Sequence, residues 1–288
     1  MPNPARLRDC IGPRVLRPAL GAALAALVGG TAAAADEELV TEAPGKFSYV
    51  LGAGLVSSPN YAGSSGRELK LRPVAALRYG RLRISTSGGS ALLGFNGDVA
   101  GSGVSADLLR GNRLQVGASL RVDPGRSPGD DPALAGLPEV RRTLRGRVSA
   151  SYALTPHWGL GLSVSQDLLG REGGATASTD LNYRDRLTPS TEWTVSAGLG
   201  WADGQHMRTF YGVSTASAAR TSYAAFAPAA GLTNAHLGLG ITSALNKHWI
   251  LFGGLGFARL LGDAAASPLT RQANSVRATI GLAYRCCQ

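Results

Sequence analysis

Between Glu68 and Ser85 the chain reads E-L-K-L-R-P-V-A-A-L-R-Y-G-R-L-R-I-S. Leu69, Leu71, Pro73, Ala75, Leu77 and Tyr79 hold the odd positions, and Glu68, Lys70, Arg72 and Arg78 hold even ones. After Gly80 the parity flips, with Leu82 and Ile84 alternating against Arg81, Arg83 and Ser85. Successive side chains of a strand point to opposite faces, so this stretch is a hairpin with one oily face and one cationic face. A helix of the same composition would scatter the arginines around its circumference. The fold must therefore give a row of arginines a wet place on one side of a sheet.

The chain has 288 residues, enough for one large all-β domain or two average ones. Its 39 glycines argue against a helical bundle, and a mean hydropathy near zero argues against disorder. The formal charge is +10, nearly all of it arginine, because Lys46, Lys70 and Lys247 are the three lysines. Such a balance fits nucleic acid, an anionic membrane surface or an anion-selective cavity.

Residues 1–35 read as a signal peptide. Arg6, Arg8, Arg14 and Arg17 form a basic leading region, Pro18 to Val28 supplies the apolar run, and Ala33-Ala34-Ala35 is an A-x-A cleavage site. Cys10 would leave with it, and no cysteine stands at the cleavage point to carry a lipid. Removing four arginines and Asp9 leaves 25 basic against 18 acidic residues, a charge of +7. Export through the periplasm argues against nucleic acid as a partner. Residues 36–46 read as a short periplasmic lead-in. Beyond residue 35 no run of about 18 apolar residues exists, so the route into a membrane is a closed barrel at 47–288.

Strand patterns recur along that stretch. Phe47, Tyr49, Leu51, Ala53 and Leu55 alternate with small or polar residues, and Ser57–Arg67 is a loop rich in turn formers. Pro73 predicts a bulge or a local break in pairing. The third strand is expected to run towards Phe95, with a tight turn at Asn96-Gly97-Asp98 and a weakly patterned strand over Val99–Leu109. Further strands are centred on Val116, Val148, Leu162, residues 172–184 and 190–201, Leu237, Leu255 and Ile280. The stretch Ala202–Leu232 reads as irregular, as does Leu260–Arg271. The total is about twelve strands, each long enough to cross a bilayer when tilted. Short links at 79–81, 110–112, 154–157, 185–189 and 245–248 alternate with longer ones, as short periplasmic turns alternate with outer loops in outer-membrane barrels. Trp158, Trp193, Trp201 and Trp249 lie near strand ends, as interfacial girdles require.

Little in the sequence suggests chemistry on a substrate. His157 and His248 sit in matching His-Trp turns, His206 falls in a long loop and His236 begins a strand. No His or Cys spacing suits a metal, and Gly52-x-Gly54 and Gly253-Gly-x-Gly256 lie inside strand patterns with no helix to follow. The expectation is a non-enzyme with no metal and no cofactor. The chemical signal is the set of arginines on the polar parity: Arg72, Arg78, Arg81, Arg83, Arg113, Arg121, Arg141, Arg145, Arg147 and Arg277. On the lipid face near the midplane each would cost about 2–4 kcal/mol, so they are expected to line the lumen. Two readings stay open there. One is an anion-favouring pore or an anionic-ligand cavity; the other is an internal network in which Glu68, Asp107, Asp123, Asp180 or Glu192 neutralises the arginines.

Pro59-Asn-Tyr61-Ala-Gly63-Ser64 resembles an early loop of the MipA/OmpV family of outer-membrane proteins. Leu134-Ala-Gly-Leu137 resembles its mid-chain loop, and Trp201-Ala-Asp203 with Met207 and Phe210-Tyr-Gly212-Val213-Ser214 resembles its most specific segment. Leu260-Leu-Gly-Asp263-Ala264 with Ser267-Pro268, then Gly281-Leu-Ala-Tyr284-Arg285, resembles its C-terminal signature. The resemblance implies an outer-membrane barrel set among outer-membrane lipid and lipopolysaccharide. It also implies a scaffold that brings a murein transglycosylase to a peptidoglycan synthase; other relatives resemble pores or adhesins. Where such barrels end on an aromatic, this chain has Cys286, Cys287 and Gln288, so the terminal assembly signal rests on Tyr284. Adjacent cysteines in an oxidising compartment could pair with a partner, form a vicinal disulfide or have no function.

Overall fold

The computed structural model describes residues 47–86 and 102–286, and the alternation read from the sequence closes on itself there. Twelve antiparallel strands form a closed barrel in chain order: β1 (Phe47–Pro59), β2 (Arg67–Tyr79), β3 (Leu82–Ser85), β4 (Gly103–Arg110), β5 (Leu114–Asp123), β6 (Thr143–Ala153), β7 (Trp158–Asp167), β8 (Ala175–Thr188), β9 (Thr191–Ala202), β10 (Gly231–Ala244), β11 (Trp249–Leu260) and β12 (Asn274–Cys286). β1 closes on β12, from Tyr49 opposite Cys286 to Ser57 opposite Ala278. Closure leaves no sheet edge, which is what lets a β-structure cross hydrocarbon. No described helix is long and apolar enough to cross a membrane.

The apolar parity faces outward. Leu51, Leu55, Leu71, Ile84, Val148, Leu162, Leu239 and Ile280 are all at least 41% exposed, which is the belt a barrel turns to lipid. Pro73 does not bulge β2 away from β1, since Ala53 faces it in an unbroken register. Its missing donor points to the β3 side. There Ala75 donates to the Thr86 hydroxyl (2.8 Å), and that hydroxyl reaches the Pro73 carbonyl (3.1 Å). The expected course of the third strand to Phe95, the turn at 96–98 and the start of the Val99–Leu109 strand lie outside the described residues, as does everything before Phe47.

All five described long connections meet at one rim. The stretch expected to be irregular from Ala202 to Leu232 instead contains two helices, α1 (Gly204–Tyr211) and α2 (Thr215–Ala218), and 261–273 contains α3 (Gly262–Ala266). Asp203 caps α1 by accepting from the His206 amide at 2.7 Å, and Met207 and Tyr211 turn inward from it. They form a small core with Ala202, Leu260 and Ala264. A second core joins Leu134, Leu137, Val213 and Leu269 from three different loops.

Candidate functional site

The inner wall has two unlike halves. At the closure seam it is small and dry, with Val50, Ala76 and Ala283 buried beside Phe252. The Phe252 ring lies so close over β12 that a Cβ on Gly281 would stand 2.2 Å from its Cζ, so only glycine fits beneath it. Around β3–β8 the wall is polar. Arg83, 2% exposed, donates to Asp107 at 2.6 Å, and Arg110 reaches the same oxygen at 2.5 Å. Arg145 Nε donates to Asp123 at 2.9 Å, and Arg184 pairs with Glu192 at 3.0 Å. Arg147 donates to the Ser163 hydroxyl (2.7 Å), which meets Ser178 (2.9 Å), and Ser178 donates to Asp180 (3.2 Å). His236 Nε2 holds the other oxygen of Asp180 at 2.7 Å. This Ser-Asp-His line is not a hydrolytic triad: the carboxylate separates hydroxyl from imidazole, so no base reaches the nucleophile.

The ten arginines singled out in the sequence divide by place. Arg78, Arg83, Arg121, Arg145 and Arg147 lie on the inner parity of β2, β3, β5 and β6, with Arg121 only 6% exposed. Arg72 and Arg277 share that parity but are exposed, Arg72 beside Glu68 at 3.8 Å and Arg277 opposite Gly256. Arg81 and Arg113 stand in the β2–β3 and β4–β5 turns. Arg141 is exposed ahead of β6 and is no part of the wall. The alternation runs past the strand there because Val140 is held by Arg126 in an isolated bridge.

Residues of the early, 201–214 and C-terminal motifs converge on the rim that carries the loops. Pro59 ends β1 there. Tyr61 donates its hydroxyl to the Leu269 carbonyl at 2.8 Å. The Gly63 carbonyl accepts from the Arg271 and Gln272 amides at 2.8 and 3.0 Å, and its φ of +100° suits glycine. Ser64 donates to Asp131 at 2.6 Å, and Asn60 donates to the same oxygen at 2.9 Å. Gly212 closes α1, Val213 pairs with Phe226, and the Ser214 hydroxyl accepts from the Ser217 amide to cap α2. Asp263 accepts from the Ala229 amide at 2.8 Å, and Ser267, next to half-buried Pro268, donates to the Tyr211 carbonyl at 2.6 Å. Burial and the Asp131 charge raise the Tyr61 hydroxyl above its ordinary value, and burial pushes Tyr211 up to about 12. Burial works against ionised Asp131, yet its bonds from Ser64, the Ala133 amide and Asn60 leave it below the usual carboxylate value.

Sequence reasoning did not single out Asp131, Arg126 or His206 as site residues. Buried Arg126 reaches from the 124–142 loop to the Phe210 carbonyl at 2.6 Å. His206 Nδ1 meets the Gly173 carbonyl at 2.9 Å, and burial lowers its pKa. Asp131 followed by Pro132 is a helix-start signal in the sequence, but its partner Ser64 lies 67 residues away.

The opposite rim is short, aromatic and basic. His157 stacks on Tyr183 and reaches the Arg184 carbonyl, and His248 stacks on Tyr284 and reaches that of Arg285, so the two His-Trp turns are built alike. Trp158 and Trp193 flank Tyr183 at 5.0 and 5.4 Å, and Trp249 meets Tyr284 at 5.5 Å. Trp201 is at the other rim. Near the turns stand Arg78, Arg81 and Arg83, then Arg110 and Arg113, then Arg184 and Arg186, then Lys247 and Arg285. Against these nine cations, of which Arg83 is buried, stand Asp107, Asp185 and Glu192 among the described residues. Cys286 ends β12 here and is disulfide-bonded.

The family model described as MltA-interacting protein MipA matches residues 51–286. The chain belongs to the MipA family. No curated protein matches it. Among solved structures it is similar to a KdgM porin (TM-score 0.40, 9% identity, 82% of this chain and 98% of that one). It is also similar to the outer-membrane expressed OmpT of Vibrio cholerae (0.39, 8%, 86% and 100%) and to an anion-selective porin from Comamonas acidovorans (0.36, 11%, 84% and 99%). At such scores nothing about transport passes from them to this chain. Family and closed barrel together make it an outer-membrane barrel.

Proposed function

We propose that this MipA-family barrel is a non-enzymatic organiser of the cell envelope, exported with residues 1–35 as its leader. It holds a murein transglycosylase, and through it a peptidoglycan synthase, at its turn rim. The family's description as MltA-interacting supports a murein transglycosylase as the partner. The observation that carries the reading is the contrast between rims: one carries described loops bonded to one another, the other is a basic, aromatic surface. Short turns of outer-membrane barrels face the periplasm, where murein enzymes work. A flat basic rim needs no long loops to recruit an acidic partner surface, since charge complementarity steers the encounter. Co-purification from gently solubilised envelopes tests this. Wild-type protein should retain a murein transglycosylase, and recovery of no murein hydrolase or synthase would overturn the reading.

One observation favours a second reading, an anion-favouring lumen. Arg78 lies directly opposite Arg83 in register, and Arg121 directly opposite Arg145. Asp107 and Asp123 offset one arginine of each pair, at Arg83 and Arg145, and an anion settling among the four would add to that offset. Conductance across a planar bilayer in a salt gradient separates the two, because a silent or cation-preferring protein excludes the anion passage.

A further inference from the structure

The outward positions of β7–β12 carry almost no charge: Arg259, and Asp185 beside the β8–β9 turn, are the only Lys, Arg, Asp or Glu on that half of the lipid-facing wall. Arg259 is exposed, one residue before the loop end of β11, and its guanidinium makes no hydrogen bond or ion pair among the described residues. A cation on the outer face costs little near the interface but gains nothing there without a partner. It borders a shallow groove of about 650 Å³ lying across the outside of β7–β12. Thr179, Ala197 and Ala235 keep the groove floor low, and Leu181, Leu237 and Phe257 stand along it. Asn274, in register with Arg259 on β12, stands at the same end of the groove and offers an amide donor.

We propose that this groove and Arg259 form a binding site for a phosphorylated, multiply acylated glycolipid of the outer leaflet, of the lipid A class. Arg259 takes a phosphate oxygen, Asn274 donates to the sugar–phosphate head, and acyl chains lie against Leu181, Leu237 and Phe257. A guanidinium matches a phosphate with two parallel bonds. The loop-rim position of Arg259 selects the outer leaflet, and a groove spread over six strands suits several chains better than two. The site rests on the outer-membrane reading with the loop rim outward.

Native mass spectrometry of the folded barrel, incubated with lipid A and moved into fresh detergent, reads lipid retention. Wild-type protein should keep one bisphosphorylated lipid A, and keep dephosphorylated lipid A or phosphatidylglycerol roughly tenfold less. Arg259→Ala should lose retention by about the same factor, Arg259→Lys should recover part of it, and Ala197→Leu should lower it by raising the floor. Arg220→Ala, in the loops, should leave it unchanged. Heat-modifiable gel migration confirms that each variant is folded. Equal retention by Arg259→Ala, or equal retention of phosphatidylglycerol, overturns the site. Labelling of loop residues on intact cells reports the orientation separately, so failure of the outer-membrane reading and failure of the lipid site give different results.

Discussion

At the loop rim, the five described connections bond to one another and bury two small cores; at the turn rim, five connections of two to four residues bury almost nothing. The difference follows from length. A loop of seven or more residues carries backbone groups that water or neighbouring loops must satisfy, and here the neighbours do it: the Gly63 carbonyl serves two amides from 271 and 272, and Arg126 serves the Phe210 carbonyl. A two-residue turn such as Gly80-Arg81 satisfies its backbone in the ladder, which leaves its side chains free to meet something else. One rim is therefore an interior, and the other is a surface.

Four changes would break or sharpen that contrast. Met207→Ala has the largest expected effect. Met207 is fully buried between α1 and α3, and truncation should cost the loop assembly about 2–5 kcal/mol. Hydrogen exchange should show lost protection in 203–230 with β10 and β11 unchanged. Asp131→Ala comes next, at about 1–3 kcal/mol, because it strands the buried Ser64 donor while half-buried Asn60 can turn to water. Because the folded Asp131 pKa is depressed, its contribution is fully present above the ordinary value and is lost as pH falls through the folded one. Protease resistance of the loops should hold from neutral pH to about 4 and decline only below it, a step that Asp131→Ala should lack.

The turn rim should behave in the opposite way. Replacing Arg81, Arg113 and Lys247 together by glutamate should change stability by under about 0.5 kcal/mol per site, because all three are exposed. Yet it should abolish co-purification of the transglycosylase, and wild-type binding should weaken as salt rises. Loss of folding instead would show that the basic rim is structural. His248→Ala removes one exposed stack on Tyr284 and should cost about 0.5 kcal/mol without affecting co-purification, matched by His157→Ala at the twin turn. Unequal costs in thermal unfolding would show that the turns are not equivalent.

How far each rim was legible in the sequence follows the same divide. The wall is read from strict alternation: Leu237, Leu239 and Ile241 against Gly238 and Gly240 can only be a strand with one greasy side. The tight turns announce themselves where parity flips, as at Gly80. The helices are missed because they are short. Asp203 followed by Met207, Phe210 and Tyr211 is a capped amphipathic pattern, but eight residues among glycines and alanines fall below the span over which periodicity stands out. α2 and α3, of four and five residues, have no period to show. Asp131 is illegible for another reason: a buried carboxylate is defined by its donors, and Ser64 and Asn60 come from a loop two hairpins away. Arg141 fails in the other direction, since its alternation is real but the strand starts at Thr143.

A barrel whose described loops bond to one another at one rim does its work at the turn rim. Single-protein conductance in a planar bilayer at neutral pH tests that most directly. Wild-type protein should insert and give no steady conductance, while Met207→Ala, with its loops loosened, should flicker open. A steady, anion-preferring conductance from the wild-type protein would contradict the account and make the arginine wall a passage.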